Sequence, residues 1–174
     1  MNTYTVKAFG TEAPEADLKQ MHIDRREATA KDAEIEILYC GVCHSDLHTA
    51  RNEWHGTVYP NVPGHEIVGR VTKIGGGVIK FKIGDLAAVG CMVDSCRECE
   101  YCKEGLEQYC EKGNIQTYNG ADKHLNKQTF GGYRSIALCR NNYLVAFETL
   151  ENRSRAKSRH SGYRRIGPYG CKTR

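Results

Sequence analysis

The chain has 174 residues, of which 40% are apolar, 26% are charged and nine are cysteines. That length suits one domain with a real core, and no apolar run approaches the roughly 18 residues needed to span a bilayer. The net charge of +4 is uneven: residues 145–174 carry eight Lys or Arg against Glu148 and Glu151, a balance of +6, so the remainder stands at −2.

Residues 3–9 (TYTVKAF) and 33–39 (AEIEILY) alternate apolar and polar side chains, which predicts half-buried strands. In the second, Ile35, Ile37 and Tyr39 share one face, with Glu34 and Glu36 on the other. Residues 43–52 (CHSDLHTARN) read as a short helix or helical turn. Residues 66–74 (EIVGRVTKI) read as a strand interrupted by Gly69, where backbones approach closely. Gly75-Gly76-Gly77 ends it in a turn, and Gly84-Asp85 opens another strand from Leu86 to Val89. Residues 91–112 form a cysteine-rich lobe. Gly131-Gly132 precedes a last strand over about 133–139 (YRSIALC). Many short strands and glycine turns predict a mainly β, barrel-like domain over residues 1–144. From about residue 145 the stretch is rich in Ser, Arg and Gly and poor in aliphatics, too little to offset the entropy of ordering. A basic, disordered tail is expected over 145–174.

The N-terminus lacks a basic segment leading into an apolar one, so no secretory signal is expected. Nine cysteines without a signal predict reduced thiols, metal ligation and a cytoplasmic location. Cys96-x2-Cys99-x2-Cys102-x7-Cys110 places four thiols within fifteen residues. Four soft thiolates can saturate a tetrahedral zinc and pin a loop that has little core of its own. An iron–sulfur reading starts from the same C-x2-C-x2-C, but there the fourth cysteine follows after three residues and precedes proline. Here seven residues intervene and Glu111 follows. A second constellation joins Cys43-His44-Ser45-Asp46-Leu47-His48 to Gly64-His65-Glu66. A catalytic zinc needs fewer protein ligands than a structural one, leaving a position for water or substrate. Cys43 and His65 are of the right types.

With GVCHSDLH at 41–48, YPNVPGHEIVGRVTKIG at 59–75, Gly84-Asp85 and the cysteine lobe, the chain resembles the zinc-dependent alcohol dehydrogenases of the medium-chain dehydrogenase/reductase family, in their cinnamyl-alcohol-dehydrogenase-like subgroup. The pattern G-H-E-x2-G-x5-G-x2-V runs from Gly64 through Gly69 and Gly75 to Val78. The resemblance covers about residues 1–144. It implies a GroES-like, partly open β-barrel catalytic domain with a structural-zinc lobe, to which the family adds a Rossmann cofactor domain. It implies that Cys96, Cys99, Cys102 and Cys110 hold the structural zinc and that Cys43 and His65 ligate the catalytic zinc. Glu66 would lie beside that metal, and Asp46 would orient His65. Ser45 would take the alcohol proton and His48 would pass it toward solvent. His44 would approach the cofactor pyrophosphate, and Trp54 would line the substrate pocket. Cys40, Cys91, Cys139 and Cys171 match no ligand position, and Cys40 and Cys139 read as packing residues. The implied activity is NAD(P)-linked oxidation of primary alcohols or reduction of aldehydes, with a lean toward NADP. No nucleic-acid or membrane partner is implied.

Two family features do not follow Leu144: a third strong zinc ligand, and a G-x-G-x-x-G cradle for the pyrophosphate. The Rossmann domain therefore reads as missing, the zinc site as weaker and leakier, the family homodimer as lost, and the chain as a fragment inactive alone. The codons of residues 162–174, read one base later, are compatible with a Rossmann glycine fingerprint, so the tail is expected to be an out-of-frame remnant. The competing expectation is a zinc-stabilised nucleic-acid-binding module using the basic tail, against which stand the acidic folded part and the lack of a paired finger layout.

Overall fold

A computed structural model describes residues 2–122, 127–140 and 143–146. The chain begins with an antiparallel pair, β1 (Thr3–Gly10) and β2 (Lys19–Arg26), registered Val6 to Ile23 and Tyr4 to Arg25. Next come β3 (Asp32–Gly41), the short helix α1 (His44–Ala50), β4 (Glu66–Ile74) and β5 (Leu86–Val89). The lobe follows, with β6 (Met92–Asp94), α2 (Glu100–Lys103), a 3-10 turn at Glu107–Tyr109 and β7 (Ile115–Gln116). Two small strands, β8 (Ala121–Asp122) and β9 (Lys127–Gln128), lead to β10 (Ile136–Arg140) and β11 (Leu144–Ala146). Five strands form one antiparallel sheet in the order β10-β3-β4-β5-β11. Its buried face packs Ala33, Ile35, Ile67, Val71, Ala87, Val89, Ala137, Cys139 and Leu144 against Val78 and Phe81. A second cluster, Val6, Ala8, Ile23 and Val62, fills the space under β1 and β2. The mainly β barrel predicted from the sequence is what forms.

Pleating accounts for most of this. In β4 the residues Ile67, Gly69 and Val71 are buried and Glu66 and Arg70 are exposed, the two-residue period of a strand with one face in the core. Gly69 is required by close approach: a Cβ there would lie 2.2 Å from Ile35 Cγ2 and 2.3 Å from the Glu36 carbonyl. Gly69→Ala is expected to destabilise the domain by about 1–3 kcal/mol through overpacking and backbone displacement. A denaturant melt checks this, and a midpoint unchanged from the parent would contradict the packing.

The alternation predicted for β3 fails at both ends. Tyr39 is 75% exposed, because register shifts lie between Glu34 and Ile35 and between Ile37 and Tyr39; each bulge swaps the face on which later side chains emerge. Glu34, expected outside, is buried, accepting hydrogen bonds from Tyr4 (3.3 Å) and Thr72 (3.1 Å) with Lys73 at 3.4 Å. The strand expected from 133 begins at Ile136. The boundary after 144 is also corrected, because Val145 and Ala146 continue β11 against Ala88 and Ala87. The rest of the expected tail, with Cys171, lies outside the described residues. Cys139 is buried and Cys40 packs against the sheet core, as expected of packing residues. No helix among the described residues is long and apolar enough to cross a membrane.

Candidate metal centres and active site

The lobe shows why four thiols are needed there. Neither α2 nor the following 3-10 turn buries a single residue, and their caps lack side-chain hydrogen bonds. Polar surface links such as Lys112–Glu98 at 2.9 Å supply little. What the segment shares is sulfur: one Sγ from each of Cys96, Cys99, Cys102 and Cys110 lies within 4.8 Å of the others, and Cys96 and Cys102 are 3.8 Å apart. Backbone N–H groups of Glu98 and Cys99 donate to Cys96 Sγ at 3.4 Å each, and that of Cys96 donates to Cys110 Sγ at 3.4 Å. Those donors, Glu98 first and Cys99 next, draw the Cys96 thiol down to about 6. Four converging thiols with amide donors aimed at them have the chemistry of a closed zinc site.

The second centre is built on α1. Its first turn is capped by Asp46, whose Oδ2 accepts the Cys43 backbone N–H at 2.9 Å. The same carboxylate is buried, and its Oδ1 accepts the Gly64 N–H at 3.0 Å and faces His65 Nδ1 at 3.1 Å. Tyr133 donates its hydroxyl to Oδ2 at 3.1 Å. Gly64 takes φ +104, and a Cβ on it would lie 2.7 Å from Cys40 Sγ, so only glycine lets this segment run close enough to be held. The backbones of Gly131, Gly132 and Tyr133 then donate to the carbonyls of Val62, Gly64 and Pro63 at 2.6, 2.7 and 3.1 Å.

This anchoring brings Cys43 Sγ, a His65 ring nitrogen and a Glu66 carboxylate oxygen within 4.8 Å of one another. The electrostatics follow. Burial pushes the Asp46 carboxyl up, but His65, the Cys43 amide, Tyr118 and the Gly64 amide outweigh it and bring it to about 2. Asp46 first, then Cys91, raise His65 to about 10. The Cys43 thiol is held below its ordinary value, first by the Ser45 backbone and hydroxyl and then, against a small burial penalty, by His65; its Sγ is 3.6 Å from Ser45 Oγ. One thiolate, one imidazole oriented through its other nitrogen and one carboxylate make a donor set suited to zinc with room for further ligands.

Beside the set is a cavity of about 260 Å³ lined by Ser45, Thr49, Trp54, His65, Cys91 and Tyr118. His44 and His48, one helical turn apart, stack at 4.9 Å, and His48 stacks on Trp54 at 4.9 Å. The Glu53 carboxylate bonds to His48 Nδ1 at the protein surface. Every site residue singled out from the sequence thus lies in one of two groups: Cys96, Cys99, Cys102 and Cys110 in the lobe, and Cys43, His44, Ser45, Asp46, His48, Trp54, His65 and Glu66 around α1. Sequence inspection missed Tyr118, whose ring is 5.7 Å from that of His65, as well as Tyr133, Glu53 and the location of Cys91. The only local signal was Cys91 at the mouth of the lobe.

Residues 29–149 match the family model for the alcohol dehydrogenase GroES-like domain. Aldehyde reductase YahK of Escherichia coli is 50% identical over 140 residues, covering 80% of this chain and 40% of that protein. Cinnamyl alcohol dehydrogenase 7 of Oryza sativa is 45% identical over 146 residues, covering 83% of this chain and 38% of that protein. A cinnamyl alcohol dehydrogenase structure from Helicobacter pylori, complexed with NADP(H), superposes with a TM-score of 0.80 at 40% identity, covering 83% of this chain and 42% of that one. The chain thus spans about 40% of the length of the curated relatives it matches.

Proposed function

This chain belongs to the zinc-dependent alcohol dehydrogenases with a GroES-like domain, and on that premise we propose that it forms the metal-holding and proton-relaying part of an enzyme interconverting primary alcohols and aldehydes with NADP or NAD. The observation that carries this reading is the convergence of Cys43, His65 and Glu66 beside the cavity lined by Ser45 and Trp54. Cys43, His65 and Glu66 would hold a catalytic zinc, and the four lobe cysteines a structural one. Bound there, zinc supplies Lewis acidity toward the substrate oxygen.

The chain's own residues do the rest. Asp46 keeps the proton on His65 Nδ1 and so leaves Nε2 as the donor atom. Ser45, on the cavity wall, accepts the alcohol proton. Glu53 engages His48 Nδ1, which leaves Nε2 to pass the proton on at the surface. Trp54 presents an aromatic wall suited to aromatic or allylic substrates, and His44, exposed at the start of α1, is offered to the cofactor pyrophosphate. Hydride transfer needs a nicotinamide site, and the 174 residues contain no G-x-G-x-x-G motif, so the chain alone is expected to turn over little or nothing. The clustered reduced thiols suit a reducing compartment such as the cytoplasm.

Metal analysis tests the reading. The zinc-loaded chain is expected to hold two equivalents and His65→Ala one. A parent holding a single equivalent that His65→Ala leaves unchanged would defeat it. In a chimera carrying the remaining length of the E. coli relative, Ser45→Ala is expected to lower kcat about 100-fold or more, with zinc content unaltered.

A further inference from the structure

The barrel interior also contains a pair of positive charges that form no salt bridge among the described residues. A cavity of about 50 Å³ is lined by Arg25, Arg26, Arg134, Asp122, Thr117 and Thr129, with Asp94 and the apolar side chains of the sheet behind them. Arg26 is matched, with Asp32 at 2.6 Å and Asp122 at 3.4 Å, and Asp94 faces Arg97 at 3.5 Å. Arg25 and Arg134 make no salt bridge among the described residues. Arg25 is only 6% exposed. Its Nε, and Nε and Nη1 of Arg134, are sealed from solvent without any hydrogen-bond acceptor. The Thr117 and Thr129 hydroxyls donate to the carbonyls of Gly90 and Gln116, and Thr129 also accepts the Gly120 N–H, so neither is engaged by these guanidinium atoms.

A guanidinium remains charged in proteins and donates only. Burial pushes Arg25 down to about 10; Tyr4, Asp122 and Asp32 oppose that shift through space without a hydrogen bond to its Nε. Arg134 is lowered first by burial and then by Arg25 beside it. Water could accept the orphaned N–H groups but would leave two like charges within electrostatic reach of each other in a low-dielectric interior. A negative partner removes both penalties. Its size is limited, because about 10–15 Å³ of such space is needed per water-sized occupant. The cavity therefore admits a monatomic anion with a few waters, and excludes a nucleotide or an organic acid. We propose that Arg25 and Arg134 form a buried binding site for a halide-sized inorganic anion, with chloride as the physiological ligand, and that its occupancy stabilises the barrel.

The test uses the zinc-loaded chain, melted while sodium chloride replaces sodium gluconate at constant ionic strength. Gluconate is too large for the cavity. The melting temperature is expected to rise by about 3–6 °C per tenfold chloride once the site begins to fill. Arg134→Met should abolish that dependence and melt no lower than the parent in gluconate, since it removes an unpaired buried charge. Should that variant fail to fold, crystals of the parent grown in bromide decide the matter by an anomalous peak beside Arg25 and Arg134. Equal melting in both salts, an undiminished chloride slope in the variant, or a cavity without bromide would each overturn the proposal.

Discussion

Stripping metal from the purified chain with a strong chelator is expected to lower its melting temperature by on the order of 10 °C and to release the lobe first. The reasoning starts from what the lobe lacks. Its helical turns bury nothing, and its strand pair β6–β7 is short. Four thiols converge within 4.8 Å, so an ion bridging them would do much of the work of a core. A ligand present at a thousand times its dissociation constant stabilises by about 4 kcal/mol, and for a chain of this size each kcal/mol is worth about 2–4 °C. Cys102→Ala should behave like chelation, with one zinc lost and amides between Asp94 and Ile115 exchanging rapidly while those of β3 and β4 stay protected. Unchanged melting and unchanged lobe exchange after verified metal removal would show that the segment folds without the ion.

Asp46→Asn is expected to weaken zinc binding at the Cys43–His65–Glu66 site about 10- to 100-fold while leaving the lobe zinc in place. It should also destabilise the chain by about 2–4 kcal/mol. The carboxylate joins the start of α1, the Gly64 amide, the His65 ring and the Tyr133 hydroxyl. The amide can keep some of these bonds, but its NH2 group must face a donor. The pH dependence has a definite sign. A folded value of about 2 against an ordinary 3.8 means that Asp46 stabilises the fold above about pH 4 and loses that contribution as pH falls toward 2. The metal-free His65 works oppositely: its raised value of about 10 stabilises the fold below about 6.5 and ceases to as pH rises through 10. Acid melts of parent and Asp46→Asn should converge toward pH 2, and chelator competition at neutral pH gives the affinity ratio. An Asp46→Asn variant matching the parent in both would remove Asp46 from its assigned role.

Much of this site was legible because its ligands are close in sequence or carry a rare combination of types. Four cysteines in fifteen residues and a Gly-His-Glu triplet announce metal chemistry without a fold. The strands 66–74 and 86–89 were legible because glycine turns bound them, Gly75-Gly76-Gly77 after the first and Gly84-Asp85 before the second. β2 was not, since Arg25 occupies a position in its Met21-Ile23-Arg25 alternation where an apolar residue would have marked the strand. Glu34 was placed outside for the converse reason: an acidic residue signals solvent unless its partners are known, and Tyr4 and Thr72 lie 30 and 38 residues away. Tyr133 is 87 residues from Asp46. A phenol donating a hydrogen bond over that distance has no spacing rule, so only the folded chain reveals it.

The metal ligands and the cavity wall differ in how they are mounted. His65 and Glu66 stand where β4 begins, fastened by a carboxylate and three backbone bonds. Trp54 instead rides a tight coil bounded by Asn52 and His55, both at positive φ, and Asn119, also at positive φ, bonds to Val58 and Gly56 across from it. Substitutions in that coil can therefore reshape the entrance and change which molecules fit, while the coordination geometry stays put. Under the proposed function, changes in substrate choice and preservation of the metal chemistry would fall to separate pieces of the same chain.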